Sequence, residues 1–538
     1  MNIHICMTLV LCSGNLVQLS ADAAAERDSS YNNPVIRGVN PDPSICRVDD
    51  DYYLATSSMF YYPGVPIYHS RDLIHWRLIG HALTTPEHFH LDKNNGNPMI
   101  YAPTLRYHEG TFYLITTDVH GGGNFYVITE DPAGEWSEPI FVDQPVFDPS
   151  LFFDEDGKVY FTRRGLFSDK DIVQAEIDID TGVLLTPLRS VAHGMVSDDT
   201  EGPHLFRRGD WYYMTMGEGG SRFLHMQTIG RSKSPWGPFE PCPHNPVIAQ
   251  HNAWWHPIKS LGHADFIEAH DGSWWVVCLG TRHAHYGAFS NIGRETFLFP
   301  VDWVDDWPVI QPEFQQQYQI QTQTLPLKPW PAIPVRDNFD SDTLGLHWTL
   351  LAYPHEQVYD LHSRPGYLRL HGRVESLETG KQVAFVGSRQ TEMHAVFSTK
   401  MEFTPESENE EAGISVFVSN AFHYDFYKSV REAKQVVVIR KSVGDITTES
   451  HSTVLENSID PLQLRVVIEP TQYLFEYREE GKDWTTLGTG VAQIIATEVA
   501  DVWSGTMLAL YSTGNGQSCV NPADFAWSEY VVHADDKS

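Results

Sequence analysis

Asn40-Pro41-Asp42-Pro43-Ser44-Ile45-Cys46-Arg47-Val48 runs through Asp49-Asp50-Asp51 into Tyr52-Tyr53-Leu54. A carboxylate stands between two prolines, an alternating apolar run follows, and an acidic turn leads to an aromatic run. Proline holds φ at about −65° and biases the preceding residue away from helix. Asp42 is therefore expected on a stiff, extended backbone, in a strand–turn–strand unit.

The plan recurs downstream. Ala102-Pro103-Thr104-Leu105-Arg106-Tyr107 turns at Glu109-Gly110 into Phe112-Tyr113-Leu114. Phe147-Asp148-Pro149-Ser150-Leu151-Phe152-Phe153 turns at Asp154-Glu155-Asp156-Gly157 into Val159-Tyr160-Phe161. Glu201-Gly202-Pro203-His204-Leu205-Phe206 turns at Gly209-Asp210 into Trp211-Tyr212-Tyr213, and His263-Ala264-Asp265-Phe266-Ile267-Glu268 turns at Asp271-Gly272 into Trp274-Trp275-Val276. Spacings of roughly 45 to 65 residues match one four-stranded propeller blade per unit. Further hairpin signals, such as Ile67-Tyr68-His69-Ser70 and Phe125-Tyr126-Val127-Ile128, fill the units. Residues 30–312 are expected to form a five-bladed β-propeller, with the innermost strand of each blade starting at the residue named first; the alternative is a large sandwich with irregular loops.

The Pro- and Gln-rich stretch 313–333 has no alternation and reads as a linker. Beyond it, 334–538 shows short alternating runs, among them 395–401, 413–418, 435–439, 462–468 and 473–477, with no sustained helical period. The expected class is all-β: a five-bladed β-propeller followed by a lectin-like (jelly-roll) β-sandwich.

Composition narrows the partners. With 37 basic against 70 acidic residues the net charge is −33, which excludes a nucleic-acid ligand, since polyanions require Lys and Arg. It suits a neutral ligand, and 15 Trp offer faces for sugars as well as core. The run Ile3–Leu19 followed by Ala21-Asp22-Ala23 reads as a secretory leader over residues 1–25, and no other stretch is apolar and long enough to span a membrane. The expectation is a secreted protein, although the leader lacks Lys and Arg before its apolar run. Cys6 and Cys12 would leave with it. Cys46, Cys242, Cys278 and Cys519 show no CxxC spacing, so neither a zinc site nor a disulfide framework is expected, and a single disulfide stays open.

If the units are blades, Asp42, Asp148, Glu201 and the His263/Asp265 pair gather at one end of the axial channel. Carboxylates meeting in a cleft raise at least one pKa. Glycoside hydrolysis needs that arrangement: one protonated acid for the leaving oxygen and one ionised base for water. Asp-Pro and Glu-Gly are also ordinary turn formers; three carboxylates in register across the repeat favour chemistry over turns.

Asn40-Pro41-Asp42-Pro43, Phe147-Asp148-Pro149-Ser150 and Glu201-Gly202-Pro203-His204 resemble the three signature segments of the family 43 glycoside hydrolases. These are inverting β-xylosidases, α-L-arabinofuranosidases and related enzymes on a five-bladed propeller, and the resemblance extends into the C-terminal sandwich. It implies that Asp42 is the general base, Glu201 the general acid, and Asp148 the carboxylate that orients the acid and tunes its pKa. Arg294, in Ile292-Gly293-Arg294-Glu295-Thr296, resembles the arginine that binds the sugar in the −1 subsite. His263 resembles the channel histidine that in some members neighbours a calcium ion; no cofactor is otherwise implied. Tyr101 stands where many relatives carry Trp, and Phe60 sits in a segment whose Met59-Phe60 replaces the common Phe-Glu; both are expected to line the pocket. Val502-Trp503-Ser504 resembles the sandwich segment that lends an aromatic lid, which makes Trp503 a substrate-binding candidate. The implied activity is exo-hydrolysis of oligosaccharides with release of xylose and arabinofuranose. Competing readings are a predominant α-L-arabinofuranosidase, a non-catalytic carbohydrate-binding propeller, and a configuration-retaining glycosidase.

Overall fold

The computed structural model describes residues 30–533 except 90–97, 167–170, 252, 254, 285–288, 381 and 458–460. The leader expected over residues 1–25, with Cys6 and Cys12, lies outside the described residues. Five antiparallel sheets are built from consecutive strands. Their innermost strands are Ser44–Val48, Thr104–His108, Ser150–Phe153, Thr200–Arg208 and Ile258–Glu268, and each touches the next around a closed ring. This is the five-bladed propeller.

Aromatic side chains on either side of each turn join four of the five pairs of neighbouring blades. Tyr53 meets Phe112 edge-on at 4.9 Å, Tyr113 meets Phe153 at 4.8 Å, Phe152 meets Tyr212 edge-on at 6.2 Å, and Phe206 stacks on Phe266 at 5.4 Å. Aromatic pairs at these separations add to the burial of their own surface, so the repeated register supplies a similar interface at four of the five seams. The last seam closes by a different contact, Tyr52 Oη to His270 Nδ1 at 2.8 Å. The N-terminal strand Ser30–Asn32 pairs with Gln319–Gln321, and Tyr31 and Asn33 bond the backbone of Leu298, so the ends of the propeller are pinned together.

The Pro- and Gln-rich stretch is fixed along blade 1. Lys328 N donates to Asp72 Oδ2 at 2.7 Å, and Trp330 lies against His69 and under the guanidinium of Arg71. The C-terminal region is a sandwich. One sheet carries Ala384–Arg389, Met507–Thr513, Glu411–Ser419, Phe422–Arg431, Lys434–Val443 and Ile446–Val454; the other is built around Ala523–Val532, Ala395–Glu402, Leu462–Ile468 and Gln472–Arg478. Phe397, Ile414, Phe426, Val466 and Phe475 fill the space between them. Cys46, Cys242, Cys278 and Cys519 are free thiols. Among the described residues no helix is long and apolar enough to cross a membrane.

The sandwich is fused to the propeller by three kinds of contact. Leu350–Leu351 pairs with Tyr61–Tyr62 as a small ladder. Val39 and Tyr61 share an apolar cluster with Phe385, Phe417, Met507 and Tyr511. Arg282 holds Glu295 at 2.7 Å and Glu392 of the sandwich at 3.1 Å, and Glu392 also binds Arg37. Removing one member of such a buried network strands the others without a partner.

Candidate active site

In four of the five blades one left-handed residue in or just before the innermost strand sets where the side chains go. Asp42, Asp148 and His263 have φ of 57°, 59° and 51°, and Gly202 has 53°. The expected extended backbone at Asp42 is therefore corrected: proline fixes its own φ and discourages the right-handed helical region before it, which leaves the left-handed region open. A non-glycine residue there costs roughly 1–2 kcal/mol, and that strain turns three polar side chains into the channel. Gly202 pays no Cβ penalty, and a Cβ there would lie 2.7 Å from the His263 ring. The register is thus Asp42, Asp148, Gly202 and His263, with Glu201 one residue ahead of its blade's turn.

Two residues further along, a second polar layer crosses the axis. Ser44 Oγ donates to Asp265 Oδ2 at 2.8 Å, and Arg106 reaches Asp265 at 2.8 Å and His204 Nδ1 at 3.0 Å. A guanidinium only donates, so His204 Nδ1 accepts. Burial first, with Arg106 adding to it, pushes the His204 imidazole down to about 3. Burial would raise Asp265, but Arg106 holds it below the usual carboxylate range.

The chamber above this layer has a volume of about 290 Å³. Asp42, Asp148, Glu201, His263 and Arg294 line it together with Met59, Tyr101, Phe147, Arg164 and Asp199, and Trp503 is contributed by the sandwich. Trp503 is 45% exposed, so it is not sandwich core. Asp42 Oδ1 accepts from Arg294 Nη1 at 3.0 Å, and its Oδ2 accepts from Ser57 Oγ at 2.5 Å. Arg294 Nη2 donates to the Trp503 carbonyl at 2.6 Å. The two domains approach this closely because Gly293 and Gly505 face each other: a Cβ on Gly293 would sit 2.7 Å from Gly505 Cα. The sandwich therefore positions the arginine of the propeller's own site.

Asp148 Oδ2 accepts from Gly202 N at 2.9 Å, which ties it to the peptide beside Glu201. Burial, with the negative charges of Glu201 and Asp42 outweighing help from His263, pushes Asp148 up to about 7. Burial acts to raise Glu201 and the Ser221 hydroxyl at 3.0 Å acts against it; the His225 ring, 3.2 Å away, lowers Glu201 strongly when it carries charge and not when it is neutral. The two results belong together: coupled groups share their protons as a set. Near neutral pH this side of the chamber carries a proton shared between Asp148 and its neighbour Glu201.

Of the residues singled out in the sequence, Asp42, Asp148, Glu201, His263, Arg294, Tyr101 and Trp503 all meet in the chamber. Phe60 does not. Its ring packs on Tyr61 at 4.6 Å and on the apolar cluster shared with the sandwich, and Met59, with φ of 55°, faces the chamber instead. The left-handed turn at Met59 shifts the alternation by one position. Ser57, Ser221 and His225 were not legible in the sequence, because their partners lie in other segments.

The calcium ion implied beside His263 is not matched by the donors there. Asp42 is engaged by Arg294 and Ser57, and Asp265 by Arg106 and Ser44. Hard cations need several free oxygens. Among the described residues, three metal-ligating side chains converge only at Glu378, His423 and Asp425 of the sandwich, where Arg440 already binds Asp425. A cavity of about 780 Å³ lies between blade 1 and the sandwich against Trp76, Trp348 and Tyr530, and none of the channel carboxylates reaches it.

A sugar-sized chamber lined by three carboxyls, one held by a cation and a hydroxyl and another whose pKa burial pushes up, is the arrangement glycoside hydrolysis uses. Comparison with known proteins agrees. The model of glycosyl hydrolases family 43 matches residues 31–308, and that of the beta xylosidase C-terminal concanavalin A-like domain matches 336–531. The chain belongs to glycosyl hydrolases family 43. It is 42% identical over 93% of its length, and 94% of the relative's, to a non-reducing end alpha-L-arabinofuranosidase of Bacteroides ovatus. It is 34% identical over 94% of its length, and all of the relative's, to a xylan 1,3-beta-xylosidase of a Vibrio species. The solved structure of a xylan beta-1,4-xylosidase of Bacillus halodurans superposes with a TM-score of 0.86 at 31% identity, covering 93% of this chain and 100% of that one.

Proposed function

We propose that the protein is an exo-acting, inverting glycosidase that removes terminal xylose, and also arabinofuranose, from oligosaccharides and hemicellulose fragments. The carrying observation is the chamber of about 290 Å³ lined by Asp42, Glu201 and the partly exposed Trp503. That space equals roughly ten water molecules, which suits one terminal sugar.

In this reading Asp42 is the base. Its two oxygens accept from Arg294 and Ser57, so it faces the chamber as an acceptor for a water proton while the water oxygen attacks the anomeric carbon. Glu201 is the acid: its proton passes to the glycosidic oxygen as the electron pair of the breaking C–O bond arrives there. Asp148 orients the acid through the Gly202 amide, and the two carboxyls share a proton because the charge of Glu201 disfavours ionisation of Asp148. Arg294 and Tyr101 bind the sugar, and Trp503 closes over it. A predominant α-L-arabinofuranosidase is the second reading, favoured by the 42% identical relative that bears that name; the relatives named xylosidases at 34% and 32% identity support the first.

The test is kcat/KM on aryl β-xylosides and aryl α-L-arabinofuranosides, with the first-formed anomer followed by NMR. Inverted product from both, with the xyloside preferred, is expected. Retained configuration, or binding without turnover, overturns the reading. The apolar run before Ala21-Asp22-Ala23 supports export, which N-terminal sequencing of protein recovered from the medium tests.

A further inference from the structure

Glu201 has a neighbour that the reaction as written does not use. His225 is wholly buried, with 0% of its surface exposed, and its Nε2 lies 3.2 Å from Glu201 Oε1. Its Nδ1 lies 3.2 Å from the carbonyl oxygen of Ser260. A carbonyl only accepts, so Nδ1 carries a hydrogen. In the neutral ring Nε2 is then a lone pair, and its contact with Glu201 Oε1 is attractive only when that oxygen bears a hydrogen.

The seat of this ring is built from several elements. A Cβ on Gly262 would lie 2.6 Å from the His225 ring, and one on Gly217 would lie 3.1 Å from its Nε2 and 3.2 Å from Glu201 Cγ. Gly217 is also the strand partner of Glu201. Ser260, with φ of 55°, lies where the register of Ile258–Glu268 shifts between Lys259 and Gly262. Two bare glycines and a left-handed serine at a bulge are each unfavourable in a strand interior, and here all three serve one imidazole.

We propose that His225 is the positioning residue of the acid: its Nε2 accepts the hydrogen of Glu201 Oε1 in the resting enzyme, keeps the proton on that oxygen, and releases it to the glycosidic oxygen as charge develops there. This rests on the reading of Glu201 as the acid. His225 neither gains nor loses a proton in the step. The O–H bond of Glu201 breaks, an O–H bond forms on the leaving oxygen, and Glu201 later takes a proton from solvent. Ser221 Oγ, 3.0 and 3.3 Å from the two oxygens of Glu201, braces the carboxyl from the other side.

The role predicts a loss that depends on the leaving group. On aryl xylosides spanning good to poor leaving groups, and on xylobiose, His225→Leu should lose less than about 3-fold in kcat with the best leaving group and about 30-fold or more with xylobiose. His225→Gln, whose amide oxygen can still accept, should recover part of the loss. Glu201→Gln runs alongside. If its loss is uniform across the series, the acid assignment fails; if it is graded while that of His225→Leu is uniform or absent, the positioning role alone fails. Selective ¹⁵N-histidine NMR of the unaltered protein gives a second readout that needs no variant to fold. A hydrogen on Nδ1 and none on Nε2 of His225 is expected, and a hydrogen on Nε2 near neutral pH overturns the proposal.

Discussion

Asp42 and Glu201 line the same chamber, and their surroundings differ in kind. Asp42 is held only by donors, Arg294 and Ser57, on a left-handed turn two residues before its strand begins. Glu201 is held by one hydroxyl and one imidazole, beside a carboxyl whose pKa is pushed up to about 7. Donors alone suit a group that must receive a proton. A ring nitrogen and a protonatable neighbour suit a group that must give one. The difference between base and acid therefore lies less in the two carboxyls than in what each accepts from or shares with its neighbours.

The sharpest way to break the comparison is to remove each carboxyl. Asp42→Ala and Glu201→Ala should each lower kcat on xylobiose by about 10³-fold or more. With an activated aryl leaving group, only Glu201→Ala should recover most of its rate. Equal recovery in Asp42→Ala would mean the two roles are exchanged.

Arg294→Met should come next, at about 10²-fold in kcat/KM, because it takes away a buried charged donor and leaves Asp42 without its ion pair. It also frees the Trp503 carbonyl. A rise in KM together with the fall in kcat is expected from steady-state kinetics; a change in neither would detach the arginine from the site.

Asp148→Asn separates stability from activity. The folded-state pKa lies above the ordinary 3.8. Proton binding therefore favours the fold at low pH, and that contribution is lost as pH rises through about 7. The amide cannot ionise. Asp148→Asn should match the parent below about pH 4 and exceed its stability by on the order of 4 kcal/mol above pH 7 in urea titrations, while activity falls. A variant less stable than the parent at pH 8 would contradict the raised pKa.

The smallest effects sharpen the same contrast. Ser57→Ala and Ser221→Ala each remove one hydroxyl from a carboxylate, worth about 1.5–3 kcal/mol at most. Roughly tenfold losses in kcat are expected, insensitive to leaving group for Ser57 and increasing with poorer leaving groups for Ser221. Identical patterns in a leaving-group series would erase the distinction between the two sides.

How much of this was legible follows from where each interaction lies in the chain. Asp42, Asp148 and Glu201 each sit in a local Pro-containing motif at the head of a repeated unit, and aromatic residues on either side of the turns mark four of the five blade seams, so spacing and residue type sufficed to place them on one channel. The strands of the sandwich were readable at 395–401 and 462–468 because they alternate, whereas Ile446–Val454, largely exposed and polar, carries little apolar pattern. Phe60 was misplaced because a left-handed turn at Met59 exchanges the two faces, and nothing in Met59-Phe60-Tyr61-Tyr62 announces it. The packing of the Pro- and Gln-rich strap on blade 1 was equally silent, since it depends on Asp72 and His69 some 250 residues earlier.

The repeat, the class and the identity of the carboxyls follow from local sequence, because they depend on residues close together in the chain. Only the tertiary structure decided the state of each carboxyl. Arg294 reaches Asp42 across 252 positions and Trp503 across 209, and His225 meets Ser260 across 35. The distances and hydrogen-bond directions that set a proton's position arise only when the blades close into a ring and the sandwich docks on them.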